Sequence, residues 1–299
     1  MNDLIDMRSF ASRLRLRGQL ILETGLRVSA GRDITAEATN LPVLKDVFGQ
    51  PYIPGASFKG VWRAYTESML QAIQTRFCVR GLACISVPRS ERPSADSEGC
   101  LTISKVNAMK ADPHYNGQAA QLDADLRAQS CLTCRVFGAP WLASKVLVKD
   151  LVIDPTTYYR PELRDGVAID RDTAHVSKRR KYDYEIVPAN AEFALEVVVE
   201  NAMPEELGTV WVGLAAFESG HIQLGGGRSR GSGWCHVEFD WATCEYVEGR
   251  ENLLDVLFPG KEARPVESEA NWSGRQETWI AALETFIEKK KEAARDFQQ

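Results

Sequence analysis

The first half of the chain begins with alternating apolar and polar residues. Across residues 13–27, leucine alternates mainly with arginine and glutamine, which is the period-two pattern of a strand with one buried face. Farther along, apolar residues recur at spacings of three and four from Phe58 to Ile73. This spacing predicts an amphipathic helix that ends near Phe77, with Ser57 before it as a candidate N-cap.

The second half of the chain repeats the order strand, helix, strand. The patterns predict a strand over residues 193–199, a helix over 204–218 and another strand over 234–239. Residues 145–153 alternate weakly and resemble a further strand. Two β-α-β blocks of this kind predict an α+β fold of the ferredoxin-like type with long insertions. Residues 277–299 have the apolar spacing of a C-terminal packing helix.

A long segment between the two blocks lacks sustained periodicity. Residues 78–130 contain several prolines and polar clusters. A loop of this length within a compact domain is usually functional or disordered. We therefore expect an insertion here.

Composition narrows the class of protein. Of the 299 residues, 44% are hydrophobic and 26% are charged, as in ordinary globular chains. The net charge of −5 argues against indiscriminate coating by nucleic acid, although positive charge can still be concentrated locally. The seven cysteines, without a signal peptide or a membrane-spanning run, indicate reduced thiols or metal ligands in a cytoplasmic protein.

A basic, glycine-rich loop is the most informative segment. Residues 224–234 contain five glycines together with Arg228 and Arg230. Such a loop lets the backbone approach a phosphate, and its free amides and cations attract one. The spacing matches neither the dinucleotide-binding pattern nor the P-loop. The alternative is a flexible turn between a helix and a strand.

A second basic segment combines charge with aromatic rings. Four consecutive cations, residues 178–181, precede Tyr182 and Tyr184, a mixture that proteins use to bind single-stranded RNA. The alternative is a solvated basic turn. His175, in the same segment, is expected to be an RNA contact or a surface residue rather than a general base.

The cysteines form another candidate site. A C-x-x-C knuckle follows the insertion, and further cysteines lie upstream in a segment that would benefit from a metal clip. We predict a structural Zn²⁺ site with four thiolate ligands, Cys84, Cys100, Cys131 and Cys134. Cys78 is the main alternative ligand and His114 a weaker one. Cys235 and Cys244 are expected to pack in or near a strand.

Four segments in order resemble the signature blocks of the RAMP-superfamily backbone subunits of type III CRISPR complexes. These segments are residues 51–60, 166–171 and 182–193 and the glycine loop. The chain looks like the repeated guide-binding, target-cleaving subunit of types III-A and III-D. The resemblance implies a modified RNA-recognition-motif fold and a helical filament of identical copies. It also implies crRNA, target RNA and other type III subunits as partners, and no membrane.

The resemblance further implies a domain layout and a set of RNA contacts. We expect one RAMP domain over residues 1–299, with a zinc-containing insertion at 78–130, a thumb-like β-hairpin insertion at 164–185 and a C-terminal helix at 277–299. The predicted RNA-binding residues are Ser57, Lys59, Arg63, Lys178, Arg179, Arg180, Lys181, Gly226, Gly227, Arg228 and Arg230.

Catalysis is the point at which the chain departs from the family pattern. The family cleaves target RNA with an aspartate in the loop after the first strand, where this chain has Asn40, which carries no charge. Either Asp33 or Glu37 supplies the carboxylate, with Mg²⁺ or Mn²⁺, or the subunit binds RNA without cutting it. Asp33 is our candidate for cleavage at six-nucleotide intervals. The alternative function is a stand-alone, zinc-stabilised RNA-binding protein without nuclease activity.

Overall fold

The computed structural model describes residues 10–29, 41–77, 79, 81–84, 100–169, 176–249 and 269–296, with the backbone alone described at 167–169, 176–181, 269–270 and 296. Predictions for Asp33, Glu37, Asn40, Cys78 and His175 therefore lie outside the described residues. Of the predicted contacts Lys178, Arg179, Arg180 and Lys181, the structure describes the backbone, which forms part of a strand.

The described residues form these strands and helices in chain order. The strands are β1 (Ser12–Leu22), β2 (Tyr52–Ile53), β3 (Val146–Val148), β4 (Leu151–Ile153), β5 (Glu162–Ile169), β6 (Val176–Ile186), β7 (Glu192–Glu200), β8 (Ile222–Gln223), β9 (Trp234–Phe239) and β10 (Glu245–Glu248). The α-helices are α1 (Gly55–Phe77), α2 (Ile103–Ala111), α3 (Ala119–Ala128), α4 (Leu132–Phe137), α5 (Pro204–Glu218) and α6 (Glu269–Asp296).

The main sheet has the ferredoxin-like topology that the two β-α-β blocks predict. Its strand order is β2-β4-β7-β1-β9-β8, with all pairs antiparallel, while β3 also pairs with β7 and β10 with β1. The blocks are β1-α1-β4 and β7-α5-β9, and their strands interleave in the sheet. The prediction of an α+β, ferredoxin-like fold is confirmed.

Helices α1 and α5 cover one face of this sheet. The leucines of β1 are buried in the same cluster as Phe58 and Trp62 of α1. Phe58 stacks on Phe217 of α5 at 4.4 Å between ring centroids, and the indole nitrogen of Trp62 donates to the carbonyl oxygen of Val210 at 3.1 Å. Burial of these large apolar side chains, at roughly 25 cal/mol per Å², fixes α1 and α5 against β1.

Several element boundaries differ from the sequence predictions. Strand β1 ends at Leu22 rather than at residue 27, and an isolated bridge between Leu26 and Val187 continues its path. Helix α1 begins at Gly55, two residues before the predicted cap. The cap prediction for Ser57 is wrong, because the amide of Gly55 donates instead to the carboxylate of Asp150 at 2.8 Å.

The insertion and the C-terminus contain more helix than their sequence patterns indicate. Within residues 100–130, which are expected to be irregular, the chain forms α2 and α3 with a 3₁₀ turn at Pro113–Tyr115 between them. Helix α6 starts at Glu269, ahead of the predicted residue 277. It buries Trp272, Trp279 and Leu283, which is consistent with the predicted packing role.

The hairpin formed by β5 and β6 stands outside the main sheet as a separate two-stranded sheet. Its pairing begins at Glu162 with Ile186, where β6 leads into β7. A hairpin is thus present over the predicted thumb region. Among the described residues, no helix is long and apolar enough to cross a membrane.

Candidate functional site

A groove of about 470 Å³ lies between the first turns of α1 and the glycine loop. Three segments that are distant in sequence form it: the chain that follows β1, the start of α1 and the beginning of the glycine loop. The lining residues are Arg27, Val28, Ser29, Ile53, Ala56, Ser57, Gly60, Val61, Leu224, Gly225, Gly226 and Arg228. The predicted RNA contacts Ser57, Gly226 and Arg228 are therefore brought together, and Ser57 is exposed.

The charges that line this groove favour an anion. They come from Arg27 and Arg228, and no aspartate or glutamate lines it. A larger cavity of about 760 Å³ on the other face of the sheet has a different character. There Lys149 lies 2.7 Å from Glu196, and Arg17 lies 4.0 Å from the same carboxylate. Because those cations are already paired with an acid, the smaller groove is the better site for a polyanion.

The groove side of the glycine loop is fixed against the chain that follows β1. The amide of Gly226 donates to the carbonyl oxygen of Arg27 at 2.9 Å. Gly225 has a φ of +72°, and a Cβ there would lie 2.3 Å from the same carbonyl oxygen. A residue with a side chain is therefore excluded at Gly225 by both conformation and contact. Glycine is required at this position because the backbone of the loop lies so close to the backbone of Arg27.

The far side of the loop contacts strand β6 of the hairpin. Arg230 donates from Nη1 to the hydroxyl of Tyr182 at 3.0 Å, and this contact raises the pKa of Arg230. The rings of Tyr182 and Tyr184 are 6.0 Å apart between centroids. The guanidinium carbon of Arg27 lies 5.6 Å from the centre of the Tyr184 ring. Cationic and aromatic side chains thus connect the groove to β6.

Arg27 is a candidate that the sequence analysis missed. It lines the groove, and its Nε is buried without a hydrogen-bond partner among the described residues. No ion pair joins it to an acid within the described part of the chain. The alternating pattern assigned Arg27 to the first strand, although the strand ends five residues earlier. The signal in the sequence that could have identified Arg27 is a cationic residue just beyond the end of a buried strand.

The described residues on either side of 30–40, the range that includes the candidate catalytic residues, pair with each other beside the groove. Ser29 pairs with Val43 in an isolated antiparallel bridge, and the amide of Leu44 donates to the carbonyl oxygen of Val28 at 2.8 Å. Residues 28–29 and 43–44 therefore form a closed stem for residues 30–40. Since Val28 and Ser29 also line the groove, any ligand bound there lies next to this stem.

Two of the predicted RNA contacts on α1, Lys59 and Arg63, make hydrogen bonds to protein groups. Lys59 donates from Nζ to the hydroxyl of Ser144 at 2.6 Å and to the carbonyl oxygen of Val146 at 2.9 Å. Burial, with a smaller effect from the charge of Arg63, lowers the pKa of Lys59. Arg63 donates to the carbonyl oxygen of Gly138 at 2.9 Å and pairs with Glu67. Neither residue lines the groove.

The four predicted metal ligands come together in one cluster. The Sγ atoms of Cys84, Cys100, Cys131 and Cys134 all lie within 4.8 Å of one another. Cys131 is the N-cap of α4 and Cys134 is in its first turn, while Cys84 and Cys100 approach from the segments before and after the undescribed part of the insertion. His114 is not part of this cluster.

The chemistry of this cluster fits a tetrahedral metal ion. Sulfur atoms about 2.3 Å from a zinc ion are roughly 3.8 Å apart, and Cys84 and Cys134 are already 3.4 Å apart. Hydrogen bonds among the four thiols separate their pKa values, since the bond with Cys100 lowers the pKa of Cys131 while the pKa values of Cys84 and Cys134 are raised. By contrast, burial raises the pKa of Cys235 to about 12 and that of Cys244 to about 11, as expected for thiols packed beside strands.

Comparison with known proteins agrees with this architecture. The sequence model of the RAMP superfamily matches residues 19–236, from within β1 to within β9. This range includes the residues of the groove and the four clustered cysteines. The CRISPR system Cms endoribonuclease Csm3 of Methanocaldococcus jannaschii is 26% identical over 277 residues, covering 87% of this chain and 94% of that protein. With its ferredoxin-like sheet and a match over most of its length, the chain belongs to the RAMP superfamily.

Proposed function

We propose that this chain is a crRNA-binding backbone subunit of a type III CRISPR interference complex. The observation that carries the proposal is the groove between α1 and the glycine loop, with two arginines and no acid in its lining. The similarity to a relative named as a CRISPR endoribonuclease supports the same class of ligand. The proposed protein partners are other type III subunits and further copies of this chain in a helical filament.

In the proposed complex, the groove holds the phosphate backbone of the guide RNA. The hydroxyl of Ser57 on α1 and the guanidinium of Arg228 on the glycine loop are its phosphate contacts, and Arg27 adds a third. Gly226 and Gly227 let the backbone of the loop come close to the RNA. Lys59 and Arg63 support α1 through protein contacts.

The β5-β6 hairpin is proposed to act as a thumb between guide and target RNA. Its strand β6 includes the basic run of residues 178–181, which Tyr182 and Tyr184 follow before the strand ends at Ile186. Aromatic rings beside cations suit unstacked bases of single-stranded RNA. Arg230, hydrogen-bonded to Tyr182, joins this hairpin to the loop that holds the guide. Target RNA would therefore pair with the guide beside the hairpin.

The cysteine cluster is proposed to hold a structural Zn²⁺. Four thiolates with no open position are typical of structural zinc rather than of a catalytic metal. When bound, the ion supplies a cross-link between the segments that carry the four cysteines. The residues that hold it, Cys84, Cys100, Cys131 and Cys134, would fix the insertion against α4.

Target cleavage is proposed for the loop whose stem is formed by Ser29 and Val43. In such a reaction the 2′-oxygen of the ribose bonds to the adjacent phosphorus and the bond from phosphorus to the 5′-oxygen breaks. The departing 5′-oxygen takes a proton from water, and the products are a 2′,3′-cyclic phosphate and a 5′-hydroxyl. Asp33 is the proposed carboxylate that accepts the 2′-hydroxyl proton, with Mg²⁺ or Mn²⁺ supplying charge stabilisation when bound.

The test is to purify the chain with its natural operon, extract the bound RNA and add a complementary labelled target with Mg²⁺. The proposal predicts repeat-derived guide RNA and cuts at six-nucleotide intervals that Asp33→Asn abolishes and Asn40→Ala retains. Guide RNA with an uncut target would reduce the function to a binding scaffold. A monomer that carries no repeat-derived RNA would contradict the proposal and favour the stand-alone RNA-binding protein.

A further inference from the structure

The guanidinium of Arg63 is fixed between α1 and the cysteine cluster. Its Nε donates to the carboxylate of Glu67 at 2.7 Å, and Nη1 donates to the carbonyl oxygen of Gly138 at 2.9 Å. Its Nη2 lies 3.8 Å from Sγ of Cys134, within hydrogen-bond range for sulfur. All three nitrogens therefore have protein partners, and one of them is a thiol of the proposed metal site.

The charge of a metal bound by four thiolates requires compensation. A divalent cation with four thiolates has a net charge of −2, which is costly to hold in a partly buried site. Arg63 is the cation that donates directly to a ligand sulfur among the described residues, and its side chain is 29% exposed. Groups of this kind orient metal ligands and stabilise their thiolate form.

We propose that Arg63 is a positioning residue of the metal centre, donating to the thiolate of Cys134 and anchoring the centre to α1. This inference rests on the metal site proposed above and assigns to it a group outside the four ligands. Gly138, which accepts from Arg63, is the C-cap of the helix that carries Cys134. Arg63 thus contacts α4 at two points, the thiol of Cys134 in its first turn and the carbonyl oxygen of Gly138 at its C-cap.

The contacts between α1 and the chain around α4 continue to the part of α1 that lines the RNA groove. One turn before Arg63, Lys59 donates to Ser144 and Val146, which follow α4 in the chain. Ser57 and Gly60, which line the groove, lie on this same part of α1. The start of α1 is therefore held by the segment that carries the metal centre, and loss of Arg63 would loosen both.

The experiment compares metal binding by the full-length wild-type, Arg63→Met, Arg63→Lys and Arg76→Gln chains. Arg76 is exposed on the same helix and serves as the matched control. Each chain is titrated with Co²⁺ while the thiolate-to-metal absorption is recorded, and Zn²⁺ affinity is measured by competition with a chelator. We expect Arg63→Met to lower the affinity about 10–100-fold and to shift the Co²⁺ spectrum. Arg63→Lys should recover part of the affinity, and Arg76→Gln should match the wild type.

The outcomes separate this inference from the proposals it depends on. Arg63→Met with wild-type affinity and an unchanged Co²⁺ spectrum would overturn the inference alone. A wild-type chain that takes up no Co²⁺ would overturn both the metal site and the inference. If Arg63→Met does not fold, the soluble Arg63→Lys chain decides the matter, since weakened metal affinity with an intact fold supports the role and unchanged affinity contradicts it.

Discussion

Lys145 and Glu206 form an ion pair inside the protein, with 2.5 Å between Nζ and the carboxylate oxygen and exposed fractions of 5% and 1% for the side chains. Arg135 lies 2.8 Å from the other carboxylate oxygen, and the amide of Met203 donates to Glu206 at 2.9 Å. A buried charge is tolerated when ion pairs and hydrogen bonds satisfy all of its polar atoms. This network therefore connects α4 and the start of β3 to the first turn of α5.

Removing the shared carboxylate should cost much of the stability of the fold. We expect Glu206→Ala to lower the free energy of unfolding by about 3–5 kcal/mol, because the buried Lys145 loses its acidic partner and Arg135 retains only Glu205. Denaturant unfolding followed by circular dichroism measures this. The exposed pair of Lys149 and Glu196 provides the control, and Lys149→Ala should change stability by no more than about 0.5 kcal/mol. Equal effects of the two substitutions would contradict the assigned role of burial.

The cysteine cluster predicts a selective loss of metal. Cys84→Ser should abolish stoichiometric zinc and lower the thermal midpoint, because a site with three thiolates loses a charged ligand. Cys235→Ala should retain the metal, since this cysteine is buried beside a strand, away from the cluster. Metal content by elemental analysis and a melting curve with and without chelator check both expectations. Full metal content in Cys84→Ser would indicate Cys78 as the fourth ligand.

Sequence patterns predicted the helices and strands in which several buried apolar side chains recur at regular spacing within the element itself. The predicted bounds of α5 are those observed, since its apolar residues recur at helical spacing and Pro204 favours the first turn of a helix. The alternating leucines of β1 were sufficient for the same reason. Helices α2 and α3 were missed because they bury few apolar side chains, Val106 in one and Leu126 in the other. No periodic signal can arise from a single buried position.

The parts of the candidate site that form a recognisable sequence motif were predictable. The hydrogen bonds between residues distant in sequence were not. The knuckle of Cys131 and Cys134 identified the cluster, and the glycine loop identified one wall of the groove. Lys59 and Arg63 are predicted RNA contacts on the family resemblance alone. Their protein acceptors, such as Ser144 for Lys59, are distant in sequence and carry no pattern that predicts them. The cap of α1 was missed for a related reason, because the carboxylate that accepts from the first helical amide belongs to the distant Asp150.

Glu218, at the end of α5, predicts a pH dependence of stability. Burial raises its pKa to about 7, from an ordinary value of 4.5. Because the folded-state pKa is raised, the stability that this group contributes is present below pH 4.5 and is lost as the pH rises through 7. Glu218→Gln should therefore gain stability relative to the wild type as the pH rises. After allowance for partial exposure, the gain at pH 8 should exceed that at pH 5.5 by about 1 kcal/mol. A difference that is constant with pH, in parallel denaturant titrations, would refute the assignment.

Two adjacent glycines of the loop should respond differently to alanine. Gly225→Ala introduces a side chain at a φ of +72° and against the carbonyl oxygen of Arg27, so we expect a loss of about 1–3 kcal/mol in unfolding free energy. At Gly226 a Cβ would meet only that carbonyl oxygen, at 3.9 Å, and would otherwise face open space beside the groove. Gly226→Ala should therefore fold normally and weaken RNA binding. Melting curves and filter binding separate the two effects, and wild-type RNA affinity in Gly226→Ala would contradict close approach of the RNA backbone.

Arg27 offers the most direct test of the groove. Its buried Nε lacks a protein partner among the described residues, and its guanidinium lies beside the Tyr184 ring. If it contacts a phosphate, Arg27→Gln should weaken binding of single-stranded RNA about tenfold. The slope of log affinity against log salt should also become shallower by about 0.7, the value for one phosphate contact on a single strand. Arg17→Gln, on the other face of the sheet and paired with Glu196, should change neither quantity. A lower affinity for Arg27→Gln with an unchanged salt slope would indicate that Arg27 supports the loop rather than binding phosphate, because loss of packing releases no counterions.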